Sequence, residues 1–171
     1  MMQTLRLLGV SVAGEPWCEG IGTPAYLNPK GFYDLPYHEI KDGIADDRFK
    51  GHAVKLFPPM LCATAPERVS RIIVCRRQRS RAVSSTLKML AVQTLFPGVP
   101  ATTAMAEEIY DNSYQHISAY AAHCHPTIDV AYEDMTGCGA AAEVLRIRTF
   151  AGSEANPGAA IKNIDLKEIT P

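Results

Sequence analysis

The stretch "RIIVCRRQRSRAVSST", Arg71 to Thr86, decides how this chain is read. It opens on an apolar, β-branched run, Ile72-Ile73-Val74-Cys75, which predicts a strand ending near Arg76. Five arginines fall between Arg71 and Arg81. Ser80 is a plausible N-cap, and Val83, Leu87, Leu90 and Leu95 follow at helical spacing, which predicts a helix over 81–95. Such a cluster is ordinarily a solvated face. This one lies where a strand gives way to a helix, and α/β proteins bind anions there.

Working outward, further elements emerge. Met1 to Leu8 reads as an amphipathic helix. Gly14 to Pro36 is rich in Gly and Pro and reads as loop. His38 to Phe49 is a short, polar, helical stretch. "HAVKLF", His52 to Phe57, is a strand candidate stopped by Pro58-Pro59. Thr102 to Ala122 reads as a long helix with Met105, Ile109, Ile117 and Tyr120 on one face. "TIDVAYEDM", Thr127 to Met135, begins as a strand. Ala140 to Phe150 is helix, and Gly152 onward is mostly loop. Strands alternating with helices predict a parallel sheet with crossover helices, and ligands outside the carboxyl ends of the strands.

Composition narrows the classes. The chain has 171 residues, enough for one domain with its own core. Hydrophobic residues make up 47% and charged residues 20%, the balance of a folded globular chain. A formal net charge of −1 argues against general affinity for nucleic acid, so the basic charge is local. The five cysteines, Cys18, Cys62, Cys75, Cys124 and Cys138, are scattered and odd in number, which fits reduced thiols and a cytoplasmic location. No apolar run approaches the roughly 18 residues of a membrane span.

Two residues at the first strand end suit a phosphate. Arg76 would make a bidentate contact, and Ser84, eight residues on, would add a hydroxyl near the helix N-terminus. "HCHP", His123 to Pro126, lacks further ligands at zinc spacing and reads as a polar helix end, so no metal is expected. Tyr110, Tyr114 and Tyr120 read as half-buried packing residues of the long helix.

"CRRQRSRAVSS", Cys75 to Ser85, resembles the 3′-phosphate-binding segment of the sulfotransferase family, in which a strand ends in Arg and a Ser follows eight residues later. Arg76 and Ser84 take those places, while Arg77 and Ser80 replace the family's Asn and Asp. "NPKGFYDLP", Asn28 to Pro36, resembles the "N-P-R-G-Y-Y-E" run of a bacterial sulfotransferase-like branch. "GHAVKLFPPML", Gly51 to Leu61, resembles that branch's next strand, and "YEDM", Tyr132 to Met135, matches a late motif whose tyrosine packs near the adenine. The resemblance covers roughly 1–150.

It implies a three-layer α/β/α domain with a mostly parallel sheet, of the kind shared with P-loop nucleoside triphosphate hydrolases. A single domain would span 1–171, with 151–171 a loop-rich tail. It also implies a donor, 3′-phosphoadenosine 5′-phosphosulfate, held by Arg76, Ser84 and Tyr132, and an alcohol or amine acceptor of unspecified identity. Lys55 would stabilise charge on the bridging oxygen. Phe57 stands where the family's cytosolic branch has its catalytic histidine, so Asp34 is the substitute base. The family's Gly-rich phosphosulfate loop does not occur in the sequence, and the chain is expected to begin just after it. The expectation is therefore either a sulfotransferase-like enzyme or a non-catalytic remnant of that fold acting as an anion-binding or assembly module. A homodimer would cover the sheet edge left by a missing first strand. No nucleic-acid or membrane partner is expected.

Overall fold

The computed structural model describes residues 1–14, 37–92, 101–123 and 126–163. The elements in chain order are α1 (Met2–Leu7), α2 (Tyr37–Ala45), α3 (Pro58–Cys62), a 3₁₀ turn (Pro66–Arg68), β1 (Ile72–Arg76), α4 (Arg79–Val92), α5 (Thr103–Ala121), β2 (Thr127–Ala131), α6 (Tyr132–Thr136), α7 (Ala140–Ala151) and α8 (Gly158–Lys162). The class is mixed α/β, mostly helical, around a small parallel sheet.

That sheet has two strands among the described residues. β1 and β2 run parallel, in register from Ile72 opposite Thr127 to Arg76 opposite Ala131. Parallel strands need a long connection, and α4 and α5 supply it. The broad three-layer sandwich expected from the resemblance goes beyond these two strands.

Alternation along the strands divides the core. Ile72 and Val74 join Leu61 of α3 and Tyr120 of α5 in one buried cluster. Val130 joins Leu5, Leu8, Met135, Val144, Ile147 and Ala160 in another, with Ile73 and Ile128 packed against it. Successive side chains of a strand point to opposite faces, so one five-residue strand reaches both clusters. Val144 and Ile147 of α7 are fully buried, three residues apart on one helix face.

Several expectations need correction. Among the described residues the strand over His52 to Phe57 is not formed, and only Ala53 pairs, through one isolated parallel bridge to Val12. Its amide donates to the Ser11 carbonyl at 2.7 Å, and its carbonyl accepts from Ala13 at 2.9 Å. Pro58 and Pro59 do more than stop a strand: they open α3, where a missing N–H costs nothing. α4 starts at Arg79, so Ser80 lies inside the first turn rather than capping it. Within the segment after Gly152, α8 forms and buries Ala160. Gly152 itself ends α7 with a left-handed φ of 69°, the conformation that favours glycine at a helix C-terminus.

The long helix forms as expected, and the Thr102 hydroxyl caps it by accepting from the Met105 amide at 3.2 Å. Its inner face differs. Ala106 is fully buried while Ile109 is 40% exposed, and Tyr114, Ile117 and Ala121 pack on the core with Tyr120. Ile117 and Tyr120 of the expected face therefore pack on the core, while Ile109 does not.

Candidate functional site

The in-register parallel pairing brings the carboxyl ends of β1 and β2 together. Arg76 and Arg77 leave one strand there, and Tyr132 and Glu133 leave the other. Segments 55 residues apart in sequence thus share one edge, and the Gln78 amide donates to Glu133 Oε1 at 3.1 Å across it. Gln78 immediately precedes α4, so this carboxylate sits at the positive end of that helix.

Three arginines lie over three tyrosines. The Arg76 guanidinium carbon is 4.6 Å from the Tyr114 ring centre. Arg77 is 5.0 Å from the Tyr132 ring and Arg79 is 5.9 Å from the Tyr110 ring. Arginine lies well on aromatic faces because its planar cation meets the ring's negative quadrupole. The two α5 tyrosines pack on each other, with ring centres 4.6 Å apart. Their hydroxyls donate back to the β1 end: Tyr110 to the Arg77 carbonyl at 3.2 Å, and Tyr114 to the Cys75 carbonyl at 3.4 Å. α5 is thereby tied to the turn between β1 and α4.

Carboxylates complete most of the pattern. Arg76 Nε donates to Asp129 Oδ1 at 2.6 Å. Arg79 donates to Asp111 through Nε at 3.2 Å and Nη2 at 2.9 Å, and to Glu107 through Nη1 at 3.0 Å. Those hydrogen bonds hold the Asp111 carboxyl below its ordinary range and raise the already high Arg79 value. Arg77 differs. Its Nε is buried without a hydrogen-bond partner among the described residues, and its cation rests on the Tyr132 face.

Ser84 is exposed on α4. With Ser80 and Thr103 it lines an open groove of about 580 Å³ beside Arg79 and Glu107. Val83 and Leu87 supply its apolar lining. Arg76 does not line this groove, so the two residues matched to the 3′-phosphate motif have different surroundings.

Lys55 lies in the irregular segment before α3, with its ammonium 5.2 Å from the centre of the half-exposed Phe57 ring. Asp34, the expected base, falls outside the described residues. So do Cys124 and His125, while His123 Nδ1 lies 2.7 Å from the Ala119 carbonyl at the end of α5. Among the described residues no group of three or more His, Cys, Asp or Glu side chains is placed to hold a metal ion. None of the described helices is long and apolar enough to cross a membrane.

The residues that the sequence reading passed over are Glu107, Asp111 and Asp129, with Tyr110 and Tyr114 as arginine platforms. A signal existed. "EEIYDNSY", Glu107 to Tyr114, repeats an acid and a tyrosine at i, i+4, which places both pairs on one side of a helix. No family model, curated protein or solved structure matches this chain.

Proposed function

We propose that the chain is a sulfotransferase-like domain that binds the 3′-phosphoadenosine half of 3′-phosphoadenosine 5′-phosphosulfate at the carboxyl ends of β1 and β2. The observation that carries this reading is the meeting of Arg76-Arg77 with Tyr132 across the paired strand ends. The resemblance assigns a phosphate ligand to one of those segments and an adenine neighbour to the other.

The chemistry of the donor set suits a phosphate. Arg76 meets Asp129 through Nε only. The two terminal nitrogens remain to form a fork on phosphate oxygens. The Arg77 cation, held over the Tyr132 face, adds positive potential beside that fork. Ser84 would serve after a shift of the ligand toward α4. The Tyr132 ring, 37% exposed, offers a surface to an adenine.

The bound donor supplies the sulfuryl group. In transfer, an S–O bond to a hydroxyl acceptor or an S–N bond to an amine would form as the bridging S–O bond breaks and adenosine 3′,5′-bisphosphate leaves. Lys55 would meet the charge left on the bridging oxygen, and Asp34 would take the proton of the acceptor hydroxyl or amine. The second reading is a non-catalytic anion-binding or assembly module. Phe57 favours it, because its ring cannot accept a proton and Lys55 rests against it. Calorimetry with adenosine 3′,5′-bisphosphate tests the shared claim of binding. A sulfuryl-transfer assay on the same protein separates the two readings.

A further inference from the structure

Acidic side chains share the strand ends with these arginines, and their role there rests on the nucleotide-binding reading proposed for the site. Asp129 is opposite Val74 in the register, two residues before the partner of Arg76. Side chains two residues apart share a face of the sheet. The Arg76 side chain folds back along that face to reach Asp129 at 2.6 Å, with the Tyr114 ring behind it at 4.6 Å. Both partners remain accessible, at 39% and 55% exposure. The pair is therefore open to solvent rather than locked in a core, and a ligand can approach the other edge of the guanidinium.

Any anion that takes the Arg76 fork meets a fixed negative charge on the third nitrogen of the same guanidinium. We propose that Asp129 tunes the phosphate affinity of Arg76: it holds the guanidinium in place in the free protein and weakens phosphate binding by repulsion. Asp129 is thus a positioning residue that sets affinity and does not touch the reacting atoms. Glu133 acts in the same sense on the neighbouring Gln78 amide. Ligands of higher negative charge feel the repulsion more strongly, and they also gain more from Arg76.

Asp129→Asn removes the charge and keeps an oxygen that can accept from Arg76 Nε. The test is calorimetric titration of the wild-type and D129N chains with adenosine 3′,5′-bisphosphate and with adenosine 5′-phosphate, at low and high salt. The expected result is binding roughly three- to ten-fold tighter by D129N, for the bisphosphate only, with the gain shrinking at high salt. A D129S chain carries the same comparison should D129N not fold. Wild-type binding with no gain, or a loss, in the variant overturns the inference alone. An equal gain for the ligand lacking the 3′-phosphate also overturns it. No binding by either chain overturns the binding reading, and the inference falls with it.

Discussion

The Arg77 guanidinium lies 5.0 Å from the Tyr132 ring, joining the turn after β1 to the first residue after β2. Its Nε is buried and without a hydrogen-bond partner among the described residues, whereas Arg76 and Arg79 each meet carboxylates. The arginine cluster thus divides into Arg79, which fastens α4 to α5, and Arg76 and Arg77, which lie at the strand ends. Arg77→Ala is expected to weaken adenosine 3′,5′-bisphosphate binding several-fold in calorimetry, with little change in the thermal transition. A large loss of stability with unchanged affinity would instead make Arg77 a packing residue.

Arg79 has the opposite character. It spans α4 and α5 by hydrogen bonds to Asp111 and Glu107. Arg79→Ala should lower Tm slightly, by about a degree or two, because exposed ion pairs contribute little and salt screens them. The same measurement at high salt should shrink the difference.

The pH dependence of this tie has a definite sign. Hydrogen bonding to Arg79 lowers the Asp111 pKa in the folded state relative to the unfolded chain. Its contribution is fully present above the ordinary aspartate value of about 4 and is lost as the pH falls through the lower folded value. The stability gap between wild type and Asp111→Asn should therefore be constant near neutrality and close in acid. Denaturant unfolding at several pH values measures it.

Two core substitutions test the packing. Ile147 of α7 is fully buried in the cluster around β2, and Ile147→Ala should cost about 2–5 kcal/mol in urea unfolding. Tyr120 is buried in the other cluster and donates to the Thr64 carbonyl at 2.9 Å. Tyr120→Phe keeps the ring and should cost about 1 kcal/mol. A Phe variant as damaging as Ala would point to a larger polar role for the hydroxyl.

Much of the fold was legible because it is local. The β-branched run before Arg76 and the periodicity of Val83 and Leu87 marked β1 and α4 with small boundary errors. The segment after His52 misled because its alternation is that of a strand, yet among the described residues only Ala53 meets an extended neighbour, at Val12. Strand formation needs a partner, and no local pattern reports one. The site was half legible. Arg76 and Tyr132 stood out through motif and position. Asp129 did not, because its pairing with Arg76 depends on the register of two strands more than fifty residues apart. Ser84 was matched by spacing alone, and it lines a groove with Gln78 and Arg79 that Arg76 does not line.

Lys55 separates binding from chemistry. If the domain transfers sulfuryl groups, Lys55→Ala should depress turnover by at least ten-fold and leave nucleotide affinity nearly unchanged. Single-turnover kinetics beside equilibrium binding makes the comparison. Equal losses in both would place Lys55 in the nucleotide site instead.

The central claim is that the β1 and β2 strand ends hold a 3′-phosphoadenosine group. Isothermal titration of the intact chain with adenosine 3′,5′-bisphosphate tests it most directly. Saturable one-to-one binding is expected, weakened several-fold by Arg76→Ala and falling with added salt. No heat of binding from a folded chain, or binding indifferent to both Arg76 and Arg77, would contradict it.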